Sequence, residues 1–189
     1  YKWIREKLLL KEQMYVVCPA IEESEEFKSV KIEYEKIKEI YKEFKVEMLH
    51  GKFKEDKKNE ITRDFRDRKI DILVSTQLIE VGMDNPNATL MLIESAEKFG
   101  LAQLHQLRGR VGRGEKESYC LIMGSLNERL KYFATHNDGF KLSEYDLKLR
   151  GPGEGFGTLQ SGRPGFKLAN ILDIDLFKRC SKVGNLNMK

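Results

Sequence analysis

The sequence predicts an α/β fold: a parallel sheet with helices on both faces, followed by a helical and loop extension. Three observations lead there. Five short apolar runs recur within the first 125 residues. Helical stretches or crossovers separate them, and that alternation implies parallel pairing. After about residue 125 the alternation stops, and glycine and proline collect further on.

Each element has a local reason. MYVVC at 14–18 is a buried strand ended by Pro19, and the polar, acidic residues 21–26 are a loop. A helix is expected over 28–44. There Val30, Tyr34, Ile37, Tyr41 and Phe44 form one apolar stripe between solvated Lys and Glu residues. A strand at 46–49 is broken by His50 and Gly51, and a charged helix at 54–67 turns Ile61 and Phe65 inward. Strands follow at 71–75 and 89–94, then a helix at 101–110 and a fifth strand at 118–123. In a parallel sheet ligands gather at the carboxyl ends of strands. The loops after Leu49, Ser75 and Glu94, and the turn near Gly112, are therefore the places to look. Helices at 126–137 and 142–149 begin the extension. Gly151, Gly153, Gly155, Gly157, Gly162 and Gly165 then line an irregular stretch, where Phe156, Leu159, Gln160 and Phe166 argue for an ordered loop. A last amphipathic helix is expected over 168–180.

Composition excludes several classes. With 40% hydrophobic and 34% charged residues the chain describes a soluble globular protein, and no apolar run reaches the ~20 residues of a membrane span. Residues 1–12 mix charges with apolar positions, so no signal peptide is expected. The chain starts at Tyr1, and the expectation is a piece of a longer protein. A net charge of +4 does not by itself indicate nucleic acid. Cys18, Cys120 and Cys180 form no CxxC pair, which argues against zinc; Cys18 and Cys120 sit in apolar runs as core residues.

Two motifs carry chemistry. The first is QLHQLRGRVGRG at 103–114. Arg110 and Arg113 are three apart, so on a helix or its frayed end they point the same way. Gly109 and Gly112 precede them and permit close approach by a backbone or a phosphate. Paired guanidiniums repel unless an anion lies between them, and a triphosphate is one such anion. Arginines aimed at a transferring γ-phosphoryl group stabilise its transition state. A surface arginine cluster or a generic phosphate-binding loop is the bland alternative. The second motif is VSTQLIEVGMD at 74–84. Ser75 and Thr76 end a strand with hydroxyls placed for capping or phosphate contact. Asp84 is placed to accept from a ribose or to brace an arginine.

LHG at 49–51, residues 75–84 and residues 106–113 resemble, in order and spacing, the motifs of the second RecA-like domain of superfamily 2 helicases. The likeness narrows with YVVCP at 15–19, FGLAQLHQLRGRVGRG at 99–114, DLKLRGPGE at 146–154 and GTLQSG at 157–162. These are similar to the RecG-type, branch-migrating DNA helicases, and the transcription-repair coupling factor shares much of the pattern.

The resemblance implies a RecA-like domain over 1–125 and a helical-hairpin and translocation-motif extension over 126–189. It implies that Arg110 and Arg113 meet the γ-phosphate as catalytic arginine fingers. Gly82, Asp84, Gln106 and Gly109 would belong to the ATP side, with Gln106 linking it to the DNA. His50, Gly51, Ser75 and Thr76 would meet the nucleic-acid backbone. Arg129, Arg150 and Gln160 would lie in the translocation motif. The chain carries no GxxxxGK phosphate loop with a following Ser or Thr, and no acidic magnesium motif. In this family both lie in the first motor domain, so ATP and Mg2+ are expected to be bound mainly there, and this chain alone is expected to be inactive. The implied partners are branched or duplex DNA and that first motor domain, in a monomeric cytoplasmic protein acting in recombination and repair. Three other readings stand beside this one. They are the motor of a coupling factor, an inactive RecA-like binding module, and an unrelated α/β nucleotide-binding enzyme with a chance arginine pair.

Overall fold

A computed structural model describes residues 1–19, 23–76 and 85–150. The segment 77–84, the glycine-rich stretch and the helix expected at 168–180 lie outside the described residues, as do Gly82, Asp84, Gln160 and Cys180.

Five strands form one parallel sheet: β1 Gln13–Val17, β2 Val46–Leu49, β3 Ile72–Ser75, β4 Ala88–Ile93 and β5 Tyr119–Ile122. Their order is β2-β3-β1-β4-β5, so β1 is central and β2 and β5 are the outer strands. Met14 pairs with Ile72 and Leu90, and Val17 with Ser75 and Ile93, so three strand ends lie level. β1, β3 and β4 are buried along their whole length. That is the pattern of strands covered on both faces, and it explains why they read as continuous apolar runs.

The helices are α1 Lys2–Leu9, α2 Glu23–Ile40, α3 Glu55–Arg66, α4 Leu101–Arg108, α5 Glu128–Thr135 and α6 Gly139–Arg150. Helix α1 is an element the sequence reading did not contain. Its charged residues hide a two-residue apolar anchor, Ile4 and Leu8, both buried. Trp3 sets its ring edge-on to Tyr119 at 4.9 Å, and the Arg5 guanidinium donates to the Ile40 carbonyl at 2.7 Å. Helix α2 starts and ends earlier than the expected 28–44. Val30, Ile37 and Tyr41 are nevertheless fully buried, while Tyr34 and Phe44 pack against them from the edge. Helix α3 rests on Ile61 and Phe65. Two such side chains contribute about 3–6 kcal/mol, whereas the exposed Lys58–Glu55 pair, at 3.2 Å, is worth about 0.2–0.5 kcal/mol. The apolar pair is what holds this highly charged helix.

The first compact unit runs from Tyr1 to Ser143, and a second from Glu144 to Lys189. Helix α5 thus belongs with the sheet. Asn127 caps it by accepting from the Leu130 N–H at 2.9 Å, and Leu130 and Phe133 are buried.

Candidate functional site

The strands are parallel, so the sheet has one carboxyl edge and one amino edge, and the described candidate residues divide between them. At the carboxyl edge, β2 ends at Leu49 and β3 at Ser75. His50 and Gly51 follow the first, Thr76 the second. His50, Ser75 and Thr76 are all buried, and Gly51 is exposed. His50 Nδ1 accepts from the Lys52 N–H at 3.1 Å, and its carbonyl accepts from the Phe53 N–H at 3.1 Å, which closes a tight turn. Ser75 Oγ donates to the Thr76 carbonyl at 2.9 Å. The serine hydroxyl is thus engaged within its own backbone, a correction to the reading that it is free at the strand end. Thr76 Oγ1 is buried and finds no hydrogen-bond partner among the described residues.

Charge at this edge centres on Lys36, whose ammonium stands 2.9 Å from Glu33 and 3.7 Å from Glu94. Burial raises the Glu94 carboxyl above its usual range, and the neighbouring Glu33 adds to that. Burial, with Glu33 and Glu94 beyond it, pushes the Cys18 thiol up to about 12. Cys18 is accordingly an inert core thiol. Cys120, expected in the core, is half-buried on the outer strand β5, and burial raises its thiol to about 12 as well.

The arginine motif occupies the other edge. Helix α4 follows β4 and returns the chain to the start of β5, so its end and the loop after it lie at the amino edge. A contact fixes the place: a Cβ on Gly114 would stand 3.0 Å from the carbonyl oxygen of Pro86, just before β4. This corrects the grouping of the Gly112 turn with the carboxyl-edge loops. Sequence order shows that a helix joins two strands, but not that its far end carries the motif.

The α4 helix stops at Arg108, with Leu101, Leu104 and Leu107 buried beneath it. The Gln103 side chain caps its start by accepting from the Gly100 N–H at 2.9 Å. Gln106 and Gly109 are exposed, Arg110 is half-buried and Arg113 exposed. The expected helical spacing of Arg110 and Arg113 does not hold. Gly112 sits at φ +78°, in left-handed backbone, and breaks the helical path between them. A Cβ at Gly112 would also meet Ser118 Oγ at 2.2 Å. The glycine is needed for the chain's own turn, and the space beside it is filled by Ser118. Arg113 Nε donates back to the Gly109 carbonyl at 3.3 Å, which ties the loop to the helix end.

Sequence reasoning gave Arg108 no role. Its guanidinium turns inward, donating to the carbonyls of Phe133 at 3.2 Å and His136 at 3.0 Å. It lies 4.4 Å over the Phe133 ring and 3.1 Å from His105 Nδ1. Burial lowers its pKa. Arg108 is the first of three closely spaced arginines, and nothing in the linear motif says which of them turns in. Arg129 also points to backbone: its Nη2 donates to the Glu97 carbonyl, beside the 3-10 turn Ala96–Lys98. The Arg150 side chain is outside the described set. No group of three or more His, Cys, Asp or Glu placed to hold a metal ion occurs among the described residues. Nor is any helix there long and apolar enough to cross a membrane.

Residues 2–115 match the family described as helicase conserved C-terminal domain. Residues 136–182 match the C-terminal part of domain 3 of ATP-dependent DNA helicase RecG. The chain is 48% identical over 179 residues to the ATP-dependent DNA helicase RecG of Thermotoga maritima, covering 90% of this chain and 23% of that protein. It is 50% identical over 182 residues to the one of Aquifex aeolicus, again covering 90% and 23%. It is similar to a structure of RecG bound to a three-way DNA junction, at 41% identity and a TM-score of 0.70, over 97% of this chain and 24% of that one. The helicase MrfA bound to DNA, at 21% identity and a TM-score of 0.57, covering 77% of this chain and 24% of that one, shares the fold. The chain spans about a quarter of the length of the RecG relatives it matches. It belongs to the helicase C-terminal domain family, as a RecA-like superfamily 2 domain of the RecG type.

Proposed function

We propose that this chain is the second motor domain of an ATP-driven DNA translocase that remodels replication forks and junctions in recombination and repair. The observation that carries the reading is the placement of His50, Ser75 and Thr76 at one edge of the sheet and of the arginine loop at the other. ATP meets the amino edge and DNA the carboxyl edge, so one rigid sheet connects turnover to movement. The names of the relatives and the junction-bound structural neighbour support this reading over the coupling-factor alternative.

In this reading Arg110 and Arg113 reach the γ-phosphoryl group from the end of α4. They stabilise the charge that spreads over its oxygens in the transition state. Gly82, Asp84, Gln106 and Gly109 form the rest of the nucleotide side. At the other edge His50, Gly51, Ser75 and Thr76 meet the nucleic-acid backbone. With three of their side chains buried, backbone N–H groups beside Gly51 are the natural phosphate donors. Residues 126–189 act as the extension that converts sheet movement into duplex movement, through Arg129, Arg150 and Gln160. The phosphate cradle and the Mg2+ ligands come from a first motor domain; Mg2+ there would neutralise phosphate charge. The protein works as a cytoplasmic monomer on branched or duplex DNA.

The test is Arg110→Ala and Arg113→Ala in the full-length protein. Each lowers DNA-stimulated ATPase by about 10³-fold or more while fork binding persists. ATP turnover near the parent level in either variant would sink the assignment.

A further inference from the structure

We infer that Gln13 and Asn85, a fully buried amide pair, are positioning residues for ATP hydrolysis. They hold Asn85 and Pro86, on which the arginine loop packs. The inference rests on the motor reading above.

Gln13 and Asn85 are only 2% and 3% exposed. Asn85 Nδ2 donates to Gln13 Oε1 at 3.1 Å. Gln13 Nε2 donates to the carbonyls of Phe65 and Ile70, both at 2.6 Å. Those two carbonyls flank the turn between α3 and β3. Asn85 Oδ1 accepts from the Asn87 N–H at 3.0 Å, and the Asn85 carbonyl accepts from the Ala88 N–H at 3.1 Å. The Gln13 N–H donates to the Asn87 carbonyl at 3.2 Å. Arg68 donates to Asn87 Oδ1. Residues 85–87 are thus fastened to the first residue of the central strand and to the end of α3.

Two neighbours give this fastening a consequence. Asp84 is covalently next to Asn85. On the other side, the Pro86 carbonyl lies against Gly114, the last residue of the arginine motif. The residues that follow Asp84 in sequence therefore meet the last residue of the arginine motif. A buried polar network with its bonds made fixes one geometry, because any shift leaves an unpaired buried group that costs free energy. Displacement of a reacting group by about 1 Å can cost 10²-fold in rate. Arginines that act mainly on transition-state charge lose turnover number before they lose substrate affinity.

The experiment uses the full-length protein with Asn85→Ala, which removes both side-chain bonds, and Asn85→Asp, which keeps the acceptor toward Asn87 and loses the donor toward Gln13. DNA-stimulated kcat, KM for ATP and fork affinity are measured, with Arg110→Ala alongside. The pin predicts that kcat falls about tenfold or more in both Asn85 variants, with KM and fork affinity within about threefold of the parent. Parental kcat in both variants overturns the inference. So does a loss of kcat that comes with an equal loss of fork binding, since that marks a merely structural role. Parental turnover in Arg110→Ala removes the motor reading itself. An inactive Arg110→Ala beside active Asn85 variants removes only the pin.

Discussion

At the carboxyl edge of the sheet the motif side chains turn inward, whereas at the amino edge Arg113 and Gln106 stay outside, on a loop that packs next to a buried amide pair. His50, Ser75 and Thr76 are each 1% exposed or less; His50 closes a local turn and the Ser75 hydroxyl bonds to the adjoining backbone. Arg113 and Gln106 are exposed, while Gln13, Asn85 and Asn87 bond to one another around Pro86, which meets Gly114. The difference suits the two tasks proposed. A nucleic-acid backbone is a repeating polyanion, and backbone N–H groups at turn positions can hold it without reading sequence. A transferring phosphoryl group develops charge at one point, and side-chain guanidiniums aimed there must be held firmly.

The comparison can be broken at either edge. The largest expected loss is the collapse of turnover in Arg110→Ala and Arg113→Ala. Next in size is Arg108→Ala. It removes two hydrogen bonds from a charged donor and its stacking on Phe133, and should lower stability by about 2 kcal/mol, read as an earlier denaturation midpoint. An unchanged midpoint would mean that Arg108 does not fasten α5 to α4. Gly112→Ala is smaller: forcing a side chain into left-handed backbone costs about 1–2 kcal/mol, and Ser118 must also move. Lower ATPase with fork affinity kept would place that strain in the arginine loop.

The smallest effect belongs to the carboxyl edge. Burial holds the Glu94 carboxyl above its ordinary value. The folded protein therefore binds this proton more tightly than the unfolded chain. The resulting penalty is absent below the unfolded value, grows as pH rises through the raised folded value, and is complete above it. Glu94→Gln should thus be slightly more stable than the parent near neutral pH and equal to it in acid. A variant less stable at neutral pH would show that the Lys36 attraction outweighs the burial.

Much of this architecture is legible in the residues, for identifiable reasons. The central strands are covered on both faces, so their apolar runs stand out, and the α2 stripe announces itself by its spacing. Helix α1 does not, because only Ile4 and Leu8 are buried among its charges. The arginine motif is legible as a motif, but its edge is not, since that depends on the direction of α4. The inward turn of Arg108 depends on Phe133 and His136, more than twenty residues away. Gln13 and Asn85 were equally silent: two amides 72 positions apart become a pair only when β1 and the start of β4 lie side by side.

The most direct test of the central claim is a paired measurement on Arg110→Ala in the full-length protein, of ATP turnover and of forked-DNA affinity at one salt concentration. Separate edges predict turnover down by about 10³-fold or more with fork affinity unchanged. Turnover near the parent level, or a matching loss of fork affinity, would contradict the account.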